Sequence, residues 1–174
     1  APLSELEAQR ELPEESKKTV AVAVKNAEKL LSMVTQLLDL QKTELHAECL
    51  KVSPYDIKAY LEEKIAEFHM AVLQKGVEIQ LKAEADMPQV WMDRDKMDHI
   101  VDNLLSNALK YTEKGIIYIT VRTTKKKWSI EVKDTGIGIP KEEQRNIFHE
   151  YYRAQNAMNF QETGSGIGLM ITRR

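Results

Sequence analysis

The sequence predicts an α+β chain: a helical-hairpin segment followed by an α/β sandwich whose mixed sheet is covered by helices on one face. Three observations carry this prediction. A long stripe of apolar residues at helical spacing fills the first quarter of the chain. After it come short runs with period-2 alternation, of which Val77–Leu81 is the clearest. Between those runs lies an amphipathic segment, Asp98–Thr112, with two different faces.

Residues 3–10 are compatible with a short helix, and Leu12-Pro13-Glu14-Glu15-Ser16 interrupts it. Ser16 can cap the next helix, with acidic residues near the new N-terminus. From about Lys17 to His46 the spacing predicts one long helix. Val20, Ala23, Ala27, Leu30, Val34 and Leu37 take its a and d positions, and Val24, Leu31, Leu38 and Leu45 widen the stripe. So broad a stripe needs more partner surface than residues 3–10 offer. A hairpin that dimerises into a four-helix bundle would cover it, and so would packing on the second domain. The domain boundary is expected near 46–50, giving domains 1–46 and 47–174.

In the second domain Cys49–Ser53 reads as a short strand that Pro54 ends. Asp56 caps a helix running to about Lys75, with Ile57, Tyr60, Leu61, Ile65, Phe68 and Val72 as its apolar side and Gly76 as its stop. Val77–Leu81 alternates strictly, and Val90–Met92 comes after a turn at Met87-Pro88. Asp93 then stands where the next helix needs a cap. Ile116–Thr124 and Trp128–Val132 form a hairpin around a solvated Lys125-Lys126-Lys127 turn.

A chain of 174 residues is long enough to bury a core, as one large domain or two small ones. Its formal net charge of −2 gives no electrostatic case for nucleic acid or an anionic membrane. Cys49 is the only cysteine, which excludes a disulfide framework and fits a reducing, intracellular setting. His46, His69, His99 and His149 show no metal-ligand spacing. No apolar run approaches the roughly 20 residues of a membrane span, so this region is expected to be soluble, without membrane contact.

The segment 98–112 carries the first chemical signal. Met97, Val101, Leu104 and Ala108, flanked by Ile100 and Leu105, form its apolar stripe. Asn103, Asn107 and Lys110 recur at i, i+4 and i+7 and share a sector of roughly 40° elsewhere on the helix, with Tyr111 adjacent. Amide oxygens are hard, neutral ligands for Mg²⁺, and an ammonium answers phosphate charge, so this face suits a metal-bound polyphosphate. A helix with two incidental asparagines is the plainer alternative.

Trp128, Ile130, Val132 and Asp134 share one parity, which aims Asp134 at the side its predecessors bury. A carboxylate there must accept specific hydrogen bonds. Thr135-Gly136-Ile137-Gly138-Ile139-Pro140 comes next, and glycines allow close approach of a ligand to the backbone. Asp134 could accept an exocyclic amine such as adenine N6, or simply cap a tight turn. Gly164-Ser165-Gly166-Ile167-Gly168 opens a second helix at Leu169, whose free N–H groups can hold phosphate. Between these motifs, residues 148–163 are polar and too weakly periodic for a confident helix, and they read as a lid. Arg153 within it could swing onto a terminal phosphate or be an ordinary surface arginine.

Taken together these stretches resemble sensor histidine kinases. Asn103-Leu-Leu-Ser-Asn-Ala-Leu-Lys-Tyr-Thr112 is similar to their N box and Asp134-Thr-Gly-Ile-Gly-Ile-Pro140 to the G1 box. Ile147-Phe-His-Glu-Tyr-Tyr-Arg153 is similar to the F box and Gly164-Ser-Gly-Ile-Gly-Leu169 to the G2 box. The boxes also keep the family's order and spacing. Leu12-Pro-Glu-Glu and Asn26-Ala-Glu-Lys-Leu-Leu look like the second half of the dimerisation hairpin, most like hybrid sensors of Bacteroides-type bacteria.

The resemblance, covering roughly residues 3–174, implies a Bergerat-type ATP-binding domain of the superfamily shared with gyrase and chaperone ATPases. In it Asn107 would ligate Mg²⁺ with Asn103 assisting, Lys110 would meet phosphate, and Tyr111 would cover the nucleotide. Asp134 would accept from adenine N6, in a pocket shaped by Gly136, Gly138 and Ile139. Arg153 would contact the distal phosphates, which Gly164, Ser165, Gly166, Gly168 and Leu169 would hold. Asn103, Lys110 and Arg153 would serve transfer of the ATP γ-phosphoryl group to a histidine, and from there to a response-regulator aspartate. The implied parent is a homodimer joined by the hairpin and anchored in the bacterial inner membrane, with this region cytoplasmic.

Two departures qualify the resemblance. The family's acceptor histidine stands in a His-Glu-x-x-x-Pro-Leu setting, and no histidine precedes His46. The chain also stops at Arg174, inside the helix begun by the last glycine motif. Both ends therefore look cut, and this stretch is expected to bind nucleotide without labelling itself. A related ATPase would need a carboxylate one turn before the metal asparagine. That position is Asn103, and Asp102 lies about 100° away around a helix. A nucleotide-binding interaction module without transfer activity is the other alternative.

Overall fold

The structure, a computed structural model, describes residues 13, 16–24, 26–27, 30–31, 34, 49–84, 86–124, 127–149, 151–158 and 166–173. The chain divides into two compact units, Ala1–Glu48 and Cys49–Arg174. In the first unit every described residue from Ser16 to Val34 is helical, and Lys17 N–H donates to Pro13 C=O (3.0 Å). Leu30, Leu31 and Val34 are exposed there. The expected helix at 3–10, the positions Leu37, Leu38, Leu45 and His46, and the motif residues Gly164 and Ser165 lie outside the described residues.

The second unit begins with strand β1 (Ser53–Tyr55), helices α1 (Ile57–Glu67) and α2 (His69–Lys75), and strands β2 (Val77–Lys82) and β3 (Val90–Met92). Helix α3 (Arg94–Tyr111) and strands β4 (Gly115–Thr123) and β5 (Trp128–Asp134) come after them, then two short helices, α4 (Gln155–Met158) and α5 (Gly168–Arg173). The main sheet has the order β2-β4-β5. It is mixed, as expected: β2 runs parallel to β4, with Val77 opposite Gly115, while β5 runs antiparallel, with Asp134 opposite Ile117. β1 and β3 form a separate antiparallel pair.

Three local expectations are corrected. The first strand is Ser53–Tyr55 instead of Cys49–Ser53, and Pro54 lies within it, opposite Trp91. A proline is tolerated because this two-stranded ribbon leaves each strand a free edge for the position without N–H. The backbone before it is drawn elsewhere, since Lys51 N–H donates to Asp93 Oδ2 (2.8 Å). Secondly, the helix capped by Asp56 is broken at Phe68, whose N–H turns back to Ile65 C=O (3.1 Å) before α2 starts. The break lets Phe68 and Val72 pack beside Val77, Ala108, Leu109 and Ile117. Asp56 does cap α1, accepting from the N–H groups of Lys58 and Ala59, and Gly76 ends α2 with φ +66.

Thirdly, the buried stripe of α3 is Val101, Leu105, Ala108 and Leu109, while Met97, Ile100 and Leu104 are only half-buried. Val101 and Leu105 join Ile57, Tyr60, Leu61, Val90, Met92, Ile119 and Val121 in the main core, and Ala108 and Leu109 join the second cluster. Thr112, fully buried, continues the line beyond the helix. Burying each of these large side chains contributes about 1.5–3 kcal/mol. The stripe is what orients α3, and it leaves Asn103, Asn107 and Lys110 on a flank at the core's margin. No helix among the described residues is long and apolar enough to cross a membrane.

Candidate functional site

Both ends of α3 are held by polar groups from elsewhere in the second unit. At its start Asp93 accepts from Lys96 N–H (3.2 Å) as well as from Lys51 N–H, and these backbone donors hold its carboxyl below the ordinary value. At its end the Lys75 ammonium donates to the Leu109 and Lys110 carbonyls, both at 2.8 Å. A cation there also meets the negative end of the helix dipole. Ile137 N–H then donates to Tyr111 C=O (3.1 Å), which ties the glycine turn after β5 to the same helix end. Lys75 went unrecognised in the sequence, where it reads as the last residue before the Gly76 stop.

Along the flank of α3, Asn103, Asn107 and Lys110 are all half-buried. Neither carboxamide makes a hydrogen bond to another described residue, and the Lys110 ammonium lies 4.9 Å from the centre of the Tyr111 ring. Two amides with unsatisfied acceptors and a nearby cation form a donor set that fits a metal-bound polyphosphate.

The glycine motifs converge on this helix. A side chain at Gly168 would put its Cβ 2.7 Å from Asn103 Oδ1, so the start of α5 packs directly against that carboxamide. A side chain at Gly136 would overlap the Tyr111 carbonyl oxygen. Gly166, at φ +73, faces the backbone of Tyr151, the one non-glycine residue with positive φ (60°) among the described residues. A Cβ at Gly166 would come within 2.7 Å of the Tyr151 carbonyl carbon. Leu169 and Arg153 are half-buried, and Ile139 is exposed.

Asp134 departs from expectation. The parity argument holds for Trp128, Ile130 and Val132, which are half-buried, but Asp134 itself is exposed. It stands at the strand's last position, opposite Ile117, where the chain turns into the glycine loop. Its Oδ1 accepts from Gly136 N–H (2.9 Å), and Oδ2 accepts from no other described residue. The carboxylate is therefore oriented by the turn while one oxygen stays open to a ligand. Gly138 has φ +66, and a Cβ there would meet nothing within 4 Å, so the turn presents open space on that side.

The segment expected to be a lid contains α4, four residues long, anchored by buried Ala154 and Ala157. Glu143 Oε2 accepts from Tyr152 O–H (2.8 Å) and Gln155 N–H (2.9 Å), and the first of these bonds raises the Tyr152 pKa. Arg153 Nη2 donates back to Ala157 C=O (2.9 Å), which holds the guanidinium toward α4.

Sequence reasoning also missed Lys64, which is 4% exposed. Its ammonium lies 2.7 Å from Asp102 Oδ1 and 2.7 Å from Glu67 Oε2. Burial pulls its pKa down, but the two carboxylates outweigh that and hold it above the ordinary lysine value. The signal was its spacing: Lys64 extends the helical face of Ile57, Tyr60 and Leu61.

Residues 92–174 match the family described as histidine kinase-, DNA gyrase B-, and HSP90-like ATPase. The chain is similar to the signal transduction histidine-protein kinase BarA of Escherichia coli K12, 31% identical over 156 residues that make up 86% of this chain and 17% of BarA. It is also similar to the aerobic respiration control sensor protein ArcB of the same organism, 31% identical over 175 residues, 99% of this chain and 22% of ArcB. Among solved structures, full-length ShkA in complex with AMPPNP aligns with a TM-score of 0.76 and 26% identity, over 92% of this chain and 33% of that one. The chain thus spans about a fifth of the length of these curated relatives.

Proposed function

Residues 92–174 form an ATP-binding domain of the histidine kinase-, DNA gyrase B- and HSP90-like ATPase family, and on that premise we propose that the chain is the nucleotide-binding region of a bacterial sensor histidine kinase. The parent protein transfers the γ-phosphoryl group of ATP to a histidine and then to the receiver aspartate of a response regulator. It dimerises through a helical hairpin to which residues 1–46 contribute, and residues 47–174 are its catalytic domain. Membrane anchoring of the parent, with this region on the cytoplasmic side, belongs to the same reading.

The observation that carries the proposal is the convergence of separate motifs on one helix: Gly168 on Asn103, and Gly136 and Ile137 on Tyr111. Asn107, assisted by Asn103, holds Mg²⁺, which when bound neutralises charge on the polyphosphate. Lys110 and Arg153 meet phosphate oxygens, and the backbone around Gly164, Ser165, Gly166, Gly168 and Leu169 supplies N–H donors to them. Tyr111 covers the nucleotide. Asp134, aimed by Gly136 N–H, accepts from the adenine amine beside Gly138 and Ile139. Transfer in such a site rests on positioning and charge neutralisation more than on acid–base chemistry.

A water-activating ATPase is disfavoured by Asp102. Its carboxylate, adjacent in sequence to Asn103, is 2.7 Å from the Lys64 ammonium on another side of α3. A binding module without transfer activity is separated by experiment. The 174-residue chain is expected to bind ATP with Mg²⁺ and not to label itself, because none of its four histidines lies in the acceptor motif. Mixed with a separate hairpin that carries the acceptor, it should phosphorylate that hairpin in trans. Binding without transfer would favour the non-transferring module, and acid-labile self-labelling would overturn the expectation for this chain.

A further inference from the structure

The turn after β5 is conspicuously short of packing. Gly138 at φ +66 has open space where a side chain would be, and Ile137 and Ile139 on either side of it are both exposed. A glycine turn of this kind has several peptide orientations of similar energy, so something other than apolar burial must select one. On the N–H side the selection is made by α3, through Ile137 N–H to Tyr111 C=O.

On the carbonyl side it is made by two carboxamides from residues 144–156. Asn156 Nδ2 donates to Gly138 C=O (2.9 Å) and, at longer range, to Ile137 C=O (3.5 Å). Gln144 Nε2 donates to Ile139 C=O (3.1 Å). Three successive carbonyls of the turn are thus held by side-chain amides. Glu143 fixes the distance between the two holders, since it accepts from Tyr152 O–H and from Gln155 N–H, the residue next to Asn156. The Asn156 Oδ1 atom is buried without a hydrogen-bond partner. An unpaired buried oxygen costs stability, so the residue is poorly explained as a fold stabiliser. Its Nδ2 contacts explain it better.

We propose that Asn156 and Gln144 are positioning residues for base recognition: by fixing the peptide planes of 137–139 they hold the Asp134–Gly138 edge in the one orientation that accepts adenine. This inference rests on the nucleotide reading given above. It separates two effects that a structural role would join. Asn156→Leu keeps the side chain's size and removes an unpaired buried oxygen, so thermal stability is maintained or rises. Binding of ATP weakens, because the free chain now samples other turn orientations. Loss of one neutral, shared hydrogen bond predicts a rise in Kd of about threefold to tenfold. Binding of GTP, which carries a carbonyl oxygen in place of the adenine N6 amine, changes less, so the ATP-to-GTP preference falls by a similar factor. Gln144→Ala, an exposed change that leaves folding intact, gives a smaller loss in the same direction.

The test is titration of the 174-residue chain and both variants with a fluorescent ATP analogue in Mg²⁺ buffer, with unlabelled ATP and GTP as competitors and a melting curve for each protein. Weaker ATP binding at unchanged melting temperature, with reduced ATP-to-GTP preference, is the expected result. If the wild-type chain binds the analogue and both variants bind ATP as it does, or lose ATP and GTP equally, the positioning role is wrong while the nucleotide reading stands. If the wild-type chain itself binds neither nucleotide, both fail.

Discussion

Asp98 and Asp102 on one side of α3, and Asn103 and Asn107 on another, differ in how their polar atoms are met. On the acidic side the Lys64 ammonium is 2.7 Å from Asp102 and 3.9 Å from Asp98. Tyr60 O–H donates to Asp98 Oδ1 (2.9 Å), and burial together with that carboxylate pushes the phenol far above its ordinary pKa. Arg94 joins through Glu63 (2.6 Å) and lies 5.7 Å from the centre of the Tyr60 ring. The asparagine side has no such network among the described residues. Its neighbours are Gly168, where a side chain would crowd Asn103, and a lysine placed over a ring. The charges on one side are paired among the described residues, whereas the amides on the other side are not. On the proposed function, the difference separates stability from binding on a single helix.

The largest effect expected from this separation is on the asparagine side. Asn107→Ala should weaken binding of ATP with Mg²⁺ by about a hundredfold, the upper end of what loss of a metal-supporting group costs. Its melting temperature should stay within about 2 °C of wild type, since no hydrogen bond to another described residue is lost. Calorimetric titration beside a thermal melt checks both halves, and a large drop in melting temperature would break the comparison.

Lys64→Ala should do the reverse. Removing a buried cation from between partly exposed carboxylates should cost about 2 kcal/mol in urea unfolding, below the figure for fully buried pairs because solvent screens Asp98 and Asp102. The folded fraction should keep its nucleotide affinity within about twofold. A tenfold loss would mean that the two sides of α3 are coupled.

Gly168→Ala sharpens the asparagine side further. The new Cβ would displace Asn103 Oδ1, from which it would otherwise stand 2.7 Å. About a tenfold loss of affinity is expected, with a stability change under about 1 kcal/mol, because alanine suits a helix better than glycine. The smallest effect concerns Asp93, which serves both sides by capping α3. Its pKa is lowered in the fold, so its contribution is complete above the ordinary carboxylate range and is lost as pH falls through the lowered value. Between about pH 5 and pH 3 the wild-type urea midpoint should therefore drop more than that of Asp93→Asn.

Much of this was readable from residue types and spacing. The caps at Asp56 and Asp93, the stop at Gly76, the β4–β5 hairpin and the i, i+4, i+7 line of Asn103, Asn107 and Lys110 are local patterns, and local physics produces them. What escaped was set at longer range. Pro54 sits inside a strand because its neighbour is the ribbon strand β3, which no local rule shows. Phe68 breaks a helix to reach a second apolar cluster formed by residues distant in sequence. Lys64 lies on an apolar face because its partners, Asp98 and Asp102, arrive on a different helix. Asp134 shows the converse limit: parity assigned it to the buried side, yet at the last position of β5 it is exposed, because alternation within a strand does not say how far burial extends along it. The capping role of Lys75 and the carboxamides of Gln144 and Asn156 acquire meaning only when the carbonyls they hold are in place.

The claim on which the rest depends is that the amide side of α3 holds a metal-bound polyphosphate. It is tested most directly by measuring ATP affinity of the wild-type chain and of Asn107→Ala, each with Mg²⁺ and with EDTA. If the claim is right, removing Mg²⁺ weakens ATP binding to the wild type by about tenfold or more and leaves Asn107→Ala almost unaffected, since the cation has lost its holder. Equal Mg²⁺ dependence in the two proteins, or none in the wild type, would contradict it.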